Sequence, residues 1–214
     1  MNQLFLTSIA ANVISSIVKD LSQPVKNLKL AFISTAAEVE EGALEWLQAD
    51  KTALTAAGFN VFEYTLTGKK LLDFESDLKD TDVILVAGGN TFYLLEKIKQ
   101  SGFSTFIKTF LEKGGIYIGS SAGSVVVGPD IWPIHHLDDR KKALHLDNYN
   151  GLNLVDFIVL PHWGNQRYKK AYMQDSIEEL YNLDQNCIYL RDNQYIVVNE
   201  GSYTIKTVQK SVNA

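Results

Sequence analysis

Short, almost uninterrupted apolar segments alternate with amphipathic segments along most of this chain. Apolar runs of four to eight residues with few polar interruptions are typical of strands that are buried on both faces. The pattern predicts strands at 4–7, 28–35, 60–66, 82–89 and 115–119. The segments between them predict helices at 40–58, at 91–102 and from there to about residue 113. Because a helix between two strands allows parallel pairing, we expect a mainly parallel sheet with helices on both faces.

The pattern changes in the C-terminal part. A strand at 153–162 and a helix at 167–183 precede three strand-like segments that only turns separate: CIYLRD, QYIVVNEG and SYTIKTVQ. Strands joined by tight turns pair in antiparallel orientation, so we expect these three as an antiparallel extension at one edge of the sheet. The sequence contains no linker, repeat or low-complexity tract. The predicted fold is therefore a three-layer α/β sandwich, with a single domain over residues 1–214.

Composition and charge exclude several functional classes. Of the 214 residues, 46% are hydrophobic and 21% charged, as in an ordinary globular protein. The net charge is −5 and there is no lysine- or arginine-rich run, which argues against a nucleic-acid partner. No apolar run approaches the roughly 20 residues that span a bilayer, and the N-terminus lacks the basic start of a signal peptide. With a single cysteine, Cys187, an internal disulfide is excluded, so we expect a cytoplasmic location. For the oligomeric state we expect a monomer or a homodimer.

The stretch 129–151 is the irregular exception. It is polar, holds two of the four prolines and shows no period of a helix or strand. Long irregular segments inside compact domains often form lids or binding loops, so this segment is a candidate for such a role.

A serine stands at the first of two informative strand-to-helix junctions. Residues 119–123 read Gly-Ser-Ser-Ala-Gly and match G-x-S-x-G, with Ser121 as the central serine. In a nucleophile elbow this serine sits on a strained turn, and the N–H of the next residue, here Ala122, faces the substrate carbonyl oxygen. The alternative is a glycine-rich turn in which the serine only caps the helix.

The second junction is VAGGNTF, at 86–92, which also follows a buried strand and begins a helix. Ligands bind at the carboxyl ends of parallel strands, and the amide of Gly89 could supply a second oxyanion donor. The alternatives are a phosphate-binding turn or a plain tight connection. Nucleotide binding has little support, because the chain lacks both G-x-G-x-x-G and the P-loop pattern.

A nucleophilic serine needs a base and an acid that orients it. His162 ends a strongly apolar strand and thus lies at the same edge of the sheet as Ser121. Asp192 closes a later strand and could orient the imidazole, although an Asp-Asn pair is also ordinary turn chemistry. The other histidines lie in the irregular segment, at His135, His136 and His145. Further candidate acids between Ser121 and His162 are Asp130, Asp138, Asp139, Asp147 and Asp156.

Four motifs in this order resemble the serine peptidases related to dipeptidase E, the aspartyl dipeptidases: AGGNTF, IGSSAGS, LPHWGN and YLRDNQYIVV. The resemblance runs from about residue 80 to 200 and implies the fold of class I glutamine amidotransferases; cyanophycinases are more distant relatives. It implies that Ser121 is the nucleophile, His162 the general base and Asp192 the orienting acid, where the family often has glutamate. The remaining implied site residues are the oxyanion-hole amides of Gly89 and Ala122, with Asn90 beside them in the substrate site.

One position departs from the family pattern. Aspartyl dipeptidases bind the substrate's aspartate through an arginine on the helix after the base histidine, and the alignment places Met173 there. Arg167, Lys169 and Lys170 lie nearer the helix start. Since a methionine cannot pair with a carboxylate, we expect Met173 to contact the substrate and the preference not to be strictly aspartyl.

The sequence thus predicts a serine-dependent hydrolase of short peptides that uses no metal and no cofactor. Two alternatives stay open at this stage: an esterase or amidase with the same triad, and a non-catalytic ligand-binding homologue. A metal site formed by His135, His136 and His145 is a third, weaker alternative, because adjacent histidines usually point in different directions.

Overall fold

The computed structural model describes residues 3–21, 23–199 and 201–209. Within these ranges the strands are β1 (Gln3–Thr7), β2 (Lys29–Ile33), β3 (Asn60–Tyr64), β4 (Val83–Val86), β5 (Ile116–Ser120), β6 (Ile158–Leu160), β7 (Cys187–Tyr189), β8 (Gln194–Asn199) and β9 (Ser202–Thr207). Seven of them form one sheet in the order β3-β2-β4-β5-β1-β8-β9. The first five in this order pair in parallel, and β8 and β9 are each added through antiparallel pairing with the preceding strand in this order, which confirms the predicted fold class. The single domain over 1–214 stays a prediction, and residues 1, 2, 22, 200 and 210–214 lie outside the described ranges.

The helices of the described residues are α1 (Ala10–Asp20), α2 (Glu45–Ala56), α3 (Leu71–Asp77), α4 (Thr91–Ser101), α5 (Phe103–Glu112), α6 (Ala122–Val125) and α7 (Ile177–Tyr181). None of them is long and apolar enough to cross a membrane.

Two hydrophobic cores lie on opposite faces of the sheet. Successive residues of a strand point to opposite faces, and β4 shows this directly. Val83 and Leu85 pack with buried residues of α1 and α2. Ile84 and Val86 pack with buried residues of α3, α4, α5 and α6. The uninterrupted apolar character of such strands in the sequence follows from this burial on both faces.

The C-terminal part corrects one expectation. The segment CIYLRD does not join the edge of the main sheet, because β7 pairs in parallel with β6 in a separate two-stranded sheet. The other two predicted segments form the antiparallel extension, as β8 and β9. The predicted strand 153–162 shortens to β6, and the predicted helix 167–183 divides into a 3-10 turn, a π-helical segment (Ala171–Ser176) and α7.

This pairing brings distant parts of the chain to one edge. The parallel strands β1, β4 and β5 all end at the same edge of the main sheet, where α/β proteins bind ligands. Because β6 and β7 are also parallel, the residues that follow them, including His162 and Asp192, lie beside each other.

Candidate active site

Ser121 occupies a strained backbone position directly after β5. Its φ of 49° and ψ of −109° are rare for a residue other than glycine. The turn is held by the Ser121 N–H, which donates to the Thr7 carbonyl at 3.0 Å. The Ser121 carbonyl accepts from Ser124 and Val125 in α6. Strain of this kind persists only where the surroundings enforce it, and it clusters at functional sites.

Close packing of backbone explains the glycines on either side of this turn. A Cβ at Gly119 would lie 2.6 Å from the carbonyl oxygen of Gly123. At Gly123 it would lie 2.0 Å from the carbonyl oxygen of Val86. Real Cβ atoms do not approach backbone so closely, so both positions of the G-x-S-x-G pattern require glycine for steric reasons.

A chain of hydrogen bonds connects the serine to an acid through a histidine. Ser121 Oγ lies 2.9 Å from His162 Nε2, and His162 Nδ1 lies 2.8 Å from Asp192 Oδ1. His162 is buried, has a positive φ of 64° and stacks its ring on that of Tyr168 at 4.5 Å. The three residues that the sequence singled out therefore meet in space.

Asp192 receives more hydrogen bonds than the imidazole supplies. Ser8 Oγ donates to its Oδ1 at 2.6 Å, and Asn165 Nδ2 donates to its Oδ2 at 2.7 Å. Partial burial raises the pKa of Asp192, but the hydrogen bonds from His162, Ser8 and Asn165 outweigh it and lower that pKa to about 2. The carboxylate is thus ionised at neutral pH and accepts the proton of Nδ1, which leaves Nε2 free to accept from Ser121.

Sequence reasoning missed Ser8 and Asn165. Besides its bond to Asp192, the fully buried Ser8 Oγ accepts from the His162 N–H at 2.7 Å, which helps to hold that residue at its positive φ. Ser8 follows β1, so the alignment of strand ends at one edge was an available signal. Asn165 lies in the quoted motif LPHWGN, and its spacing from His162 was the signal there.

The serine that precedes Ser121 faces a different environment. Ser120 Oγ donates to Asp50 at 2.8 Å and accepts from the Ala10 N–H at 3.1 Å. Asp50 is buried on α2 and also accepts from the Ala11 N–H at 2.7 Å. Burial raises the pKa of Asp50, although the hydrogen bonds that it accepts from Ala11 and Ser120 oppose this increase. Ser120 thus joins β5 to α1 and α2, and its hydroxyl is fully engaged in structure.

The GGN turn before α4 lies next to Ser121. A Cβ at Gly88 would lie 3.3 Å from the Cβ of Ser121, and Gly89, at a φ of 124°, leaves no room for one beside Ala36. Asn90 is 2% exposed and caps α4, because its Oδ1 accepts from the Tyr93 N–H at 2.9 Å. Its Nδ2 donates to the Asp139 carbonyl at 3.0 Å and so ties the irregular segment to the helix.

A cavity of about 500 Å³ opens over Ser121 and His162. The segment 129–151, which contains two 3-10 turns, forms one of its walls. Aromatic rings of Trp46 and Tyr168 also line it. Its charged lining side chains, apart from the histidines, are the carboxylates of Glu40, Asp50, Asp138 and Asp139 and the cations of Lys142 and Arg167.

The remaining residues that the sequence singled out are not part of the hydrogen-bonded series of Ser121, His162 and Asp192. Met173 is 50% exposed and is not among the residues that line the cavity, whereas Arg167 is. None of the alternative acids hydrogen-bonds to His162 within the described ranges. Asp130 caps the turn at Trp132, and Asp138 accepts from the Thr91 N–H at 2.9 Å.

A serine on a strained turn between a parallel strand and a helix is typical of hydrolases with a nucleophile elbow. Comparison with known protein families shows to which family of hydrolases the chain belongs. The model of peptidase family S51 matches residues 4–206, so the chain belongs to this family. The resemblance to peptidase E is thereby confirmed, and the chain is a serine peptidase, a hydrolase.

Sequence similarity to related proteins extends over most of the chain. An uncharacterized peptidase of Listeria monocytogenes is 38% identical over 79% of this chain and 82% of its own length. An uncharacterized peptidase of Pasteurella multocida is 31% identical over 96% of this chain and 98% of its own length. Peptidase E of Escherichia coli is 27% identical over 73% of this chain and 69% of its own length.

Solved structures agree with this assignment. A crystal structure of a candidate peptidase E from Listeria monocytogenes superposes with a TM-score of 0.89 and 33% identity, covering 98% of this chain and all of the other. A peptidase from an acI-B1 actinobacterium shares the fold, with a TM-score of 0.71 at 18% identity over 97% of this chain and 88% of its own.

Proposed function

We propose that this protein hydrolyses short peptides, with Ser121 as nucleophile, His162 as general base and Asp192 as the residue that orients the histidine. The observation that carries the proposal is the hydrogen-bonded series from Ser121 Oγ through both ring nitrogens to the Asp192 carboxylate. Two further observations support it: Ser121 has a strained φ, and its side chain makes no cap hydrogen bond to α6, so the serine does not serve there as a helix cap.

The proposed chemistry follows from this geometry. His162 Nε2 takes the hydroxyl proton as Ser121 Oγ attacks the peptide carbonyl, and the imidazolium then donates that proton to the leaving amine. The ionised Asp192 stabilises the imidazolium. The N–H groups of Gly89 and Ala122 are proposed to bind the oxyanion, since they follow neighbouring strands at the same edge. Water then hydrolyses the acyl-enzyme by the same route.

The acidic wall of the cavity suggests how a short peptide is held. Burial raises the pKa of Asp138 to about 6, with the nearby Glu40 adding to the increase and hydrogen bonds from Thr91 opposing it. Asp138 and Glu40 both line the cavity, and a cation bound beside them would offset their mutual repulsion. We propose that the free α-ammonium of the substrate occupies this place, which would favour short peptides with an unblocked N-terminus.

Asp138→Asn should lower kcat/KM about 10- to 100-fold for a dipeptide with a free amino group, the loss of one charge-assisted hydrogen bond. The asparagine oxygen can still accept from Thr91, so the wall should keep its conformation. Steady-state kinetics on free and N-acetylated versions of one substrate measures the effect. Asp147→Asn, in the same segment but outside the cavity, is the matched control. An equal loss on both substrates would contradict the proposal.

The same variant has a signature in stability. The folded-state pKa of Asp138 lies above its ordinary value, so the stability linked to this group is fully present below about pH 4. It is lost as the pH rises through about 6. As the pH rises from about 4 to about 6, the wild type should therefore lose stability relative to Asp138→Asn, which carries no titrating group at this position.

We further propose that the preference at the N-terminal residue is not strictly aspartyl. Met173 lies outside the cavity, so it does not provide the reason. The support is the charge of the lining: four carboxylates face two cations, Lys142 and Arg167. An acidic substrate side chain would enter a field that is negative on balance.

Comparing kcat/KM for Asp-, Ala-, Leu- and Met-initiated dipeptides in one buffer tests this preference and the proposed function together. We expect the uncharged substrates to be cleaved better than the aspartyl one. A preference of about 100-fold for the aspartyl substrate, roughly 2.7 kcal/mol in transition-state binding, would show that Arg167 or Lys142 governs the site. No turnover of any dipeptide would count against peptide hydrolysis itself. The cytoplasmic location and the monomeric or homodimeric state stay predictions.

A further inference from the structure

Two histidines of the segment that forms a wall of the cavity and a glutamate beyond it bring their side chains together. His135 and His136 follow the 3-10 turn Trp132–Ile134 in the segment 129–151, and Glu179 lies on α7. One ligand atom from each lies within 4.8 Å of the others. We propose that these three residues bind a divalent transition-metal ion of the Zn²⁺ type, independently of the proposed peptidase chemistry.

The imidazole of His135 is oriented as a metal ligand would be. Its Nδ1 lies 2.9 Å from the Trp132 carbonyl oxygen, which can only accept, so the ring proton is on Nδ1. This leaves the lone pair of Nε2 free, 3.6 Å from Glu179 Oε2. A histidine ligand in metalloproteins usually donates its second N–H to a carbonyl or carboxylate in this way.

The carboxylate of Glu179 is oriented by the same tryptophan. Trp132 Nε1 donates to Glu179 Oε1 at 2.7 Å, which leaves Oε2 as the oxygen nearer to His135. The indole also stacks on the His135 ring, with centroids 4.2 Å apart and planes inclined by 14°. Trp132 therefore holds two of the three proposed ligands through contacts that lie outside the metal position.

The spacing suits a small tetrahedral ion. Bonds of about 2.0–2.1 Å at tetrahedral angles place neighbouring ligand atoms about 3.4 Å apart. The distance of 3.6 Å between His135 and Glu179 is close to this value. A ligand atom of His136 lies within 4.8 Å of those of His135 and Glu179, and the ring centroids of the two histidines are 3.9 Å apart. The expectation that these adjacent histidines diverge is thus wrong.

The chemical types of the three ligands determine which metal ions the site would prefer. Two imidazoles and one carboxylate suit Zn²⁺ and similar transition metals, whereas Mg²⁺ and Ca²⁺ prefer oxygen ligands throughout. Three protein ligands leave a fourth position for water. His145, the third histidine of the sequence-based alternative, is not in the cluster; its backbone N–H donates to the Glu96 carboxylate.

Such an ion would connect the cavity wall to α7. His136 itself lines the cavity, as do Ile134 and Leu137 beside it. An ion that binds the folded chain but not the unfolded one stabilises the fold by RT ln(1 + c/Kd), where c is the concentration of the free ion. The proposed site would thus fix the segment 129–151 in the position that shapes the cavity.

Calorimetric titration of the chelator-treated full chain with ZnCl₂ tests the proposal without using activity. We expect saturable binding of one Zn²⁺ per chain, with a rise in Tm, and no binding of Mg²⁺. His135→Ala and the exposed Glu179→Gln should each weaken binding more than about 10-fold. Trp132→Phe, which keeps an aromatic ring but loses the N–H, should weaken it about 10-fold. His145→Ala is the control and should bind as the wild type does.

Two results would overturn the proposal. One is the absence of saturable Zn²⁺ binding to the wild-type chain. The other is binding that neither His135→Ala nor Glu179→Gln weakens, with both variants shown to be folded by circular dichroism. Because no readout depends on turnover, failure here leaves the proposed peptidase function untouched.

Discussion

Ser121→Ala should reduce kcat/KM for any cleaved dipeptide by about 10⁴-fold or more, as expected for a nucleophile that acts within a catalytic unit. This corresponds to at least about 5.5 kcal/mol of transition-state stabilisation. The fold should persist, since Ser121 holds the turn through its backbone N–H and carbonyl, which alanine retains. Steady-state kinetics and circular dichroism measure the two effects.

The neighbouring serine offers the matched control. Ser120→Ala removes a hydroxyl that contacts Asp50 and the Ala10 N–H, so it should cost about 1–3 kcal/mol of folding free energy. Its folded form should still react with a fluorophosphonate probe, whereas Ser121→Ala should not. If Ser121→Ala kept wild-type turnover, the serine mechanism would be wrong.

Asp192→Asn is expected to have the second largest effect, a loss of about 10⁴-fold in kcat. The carboxylate accepts three donors, from His162, Ser8 and Asn165. An asparagine offers one oxygen and one NH₂ group, so either of its orientations places a donor against a donor. The imidazole then loses its fixed tautomer or its fixed position.

This variant should also change the pH dependence of stability. The folded-state pKa of Asp192, about 2, lies below the ordinary value. The stabilisation linked to this group is therefore present above about pH 4 and is lost as the pH falls towards 2. Chemical denaturation of wild type and variant between pH 2 and 7 should show their difference shrinking at the acid end.

Asp156→Asn serves as the control, because Asp156 is an exposed acid between Ser121 and His162 in sequence. It should retain full activity. A greater loss from Asp156→Asn than from Asp192→Asn would return the orienting role to an acid of that region.

Sequence was most informative where a local pattern decides the structure. The apolar runs correspond to strands buried on both faces, and the glycines around Ser121 are required by backbone contacts within the elbow. The pairing of β7 with β6 was not predictable in this way, because a short strand carries no sign of its distant partner. Ser8 was missed for a similar reason, since its role depends on residues more than 150 positions away.

Met173 shows a different limit. An alignment to a family motif assumes that helical periodicity carries over, with residues four apart on one face. The segment Ala171–Ser176 is π-helical, which shifts the following side chains around the axis. Met173 lies within this segment and is exposed, while Arg167, before this segment, lines the cavity.

The central place of β1 has a consequence for biosynthesis. This strand, formed near the start of the chain, lies between β5 and β8, and Gln3 pairs with both Ile116 and Asn199. Ser8, at its end, contacts Asp192. A ribosome releases the chain from its N-terminus, so β1 emerges first and β8 near the end of synthesis. One edge of β1 therefore stays unpaired until β8 has been synthesised. The hydrogen-bonded series at Ser121 therefore cannot assemble on a partly synthesised chain, and a nascent form would not cleave the peptides around it.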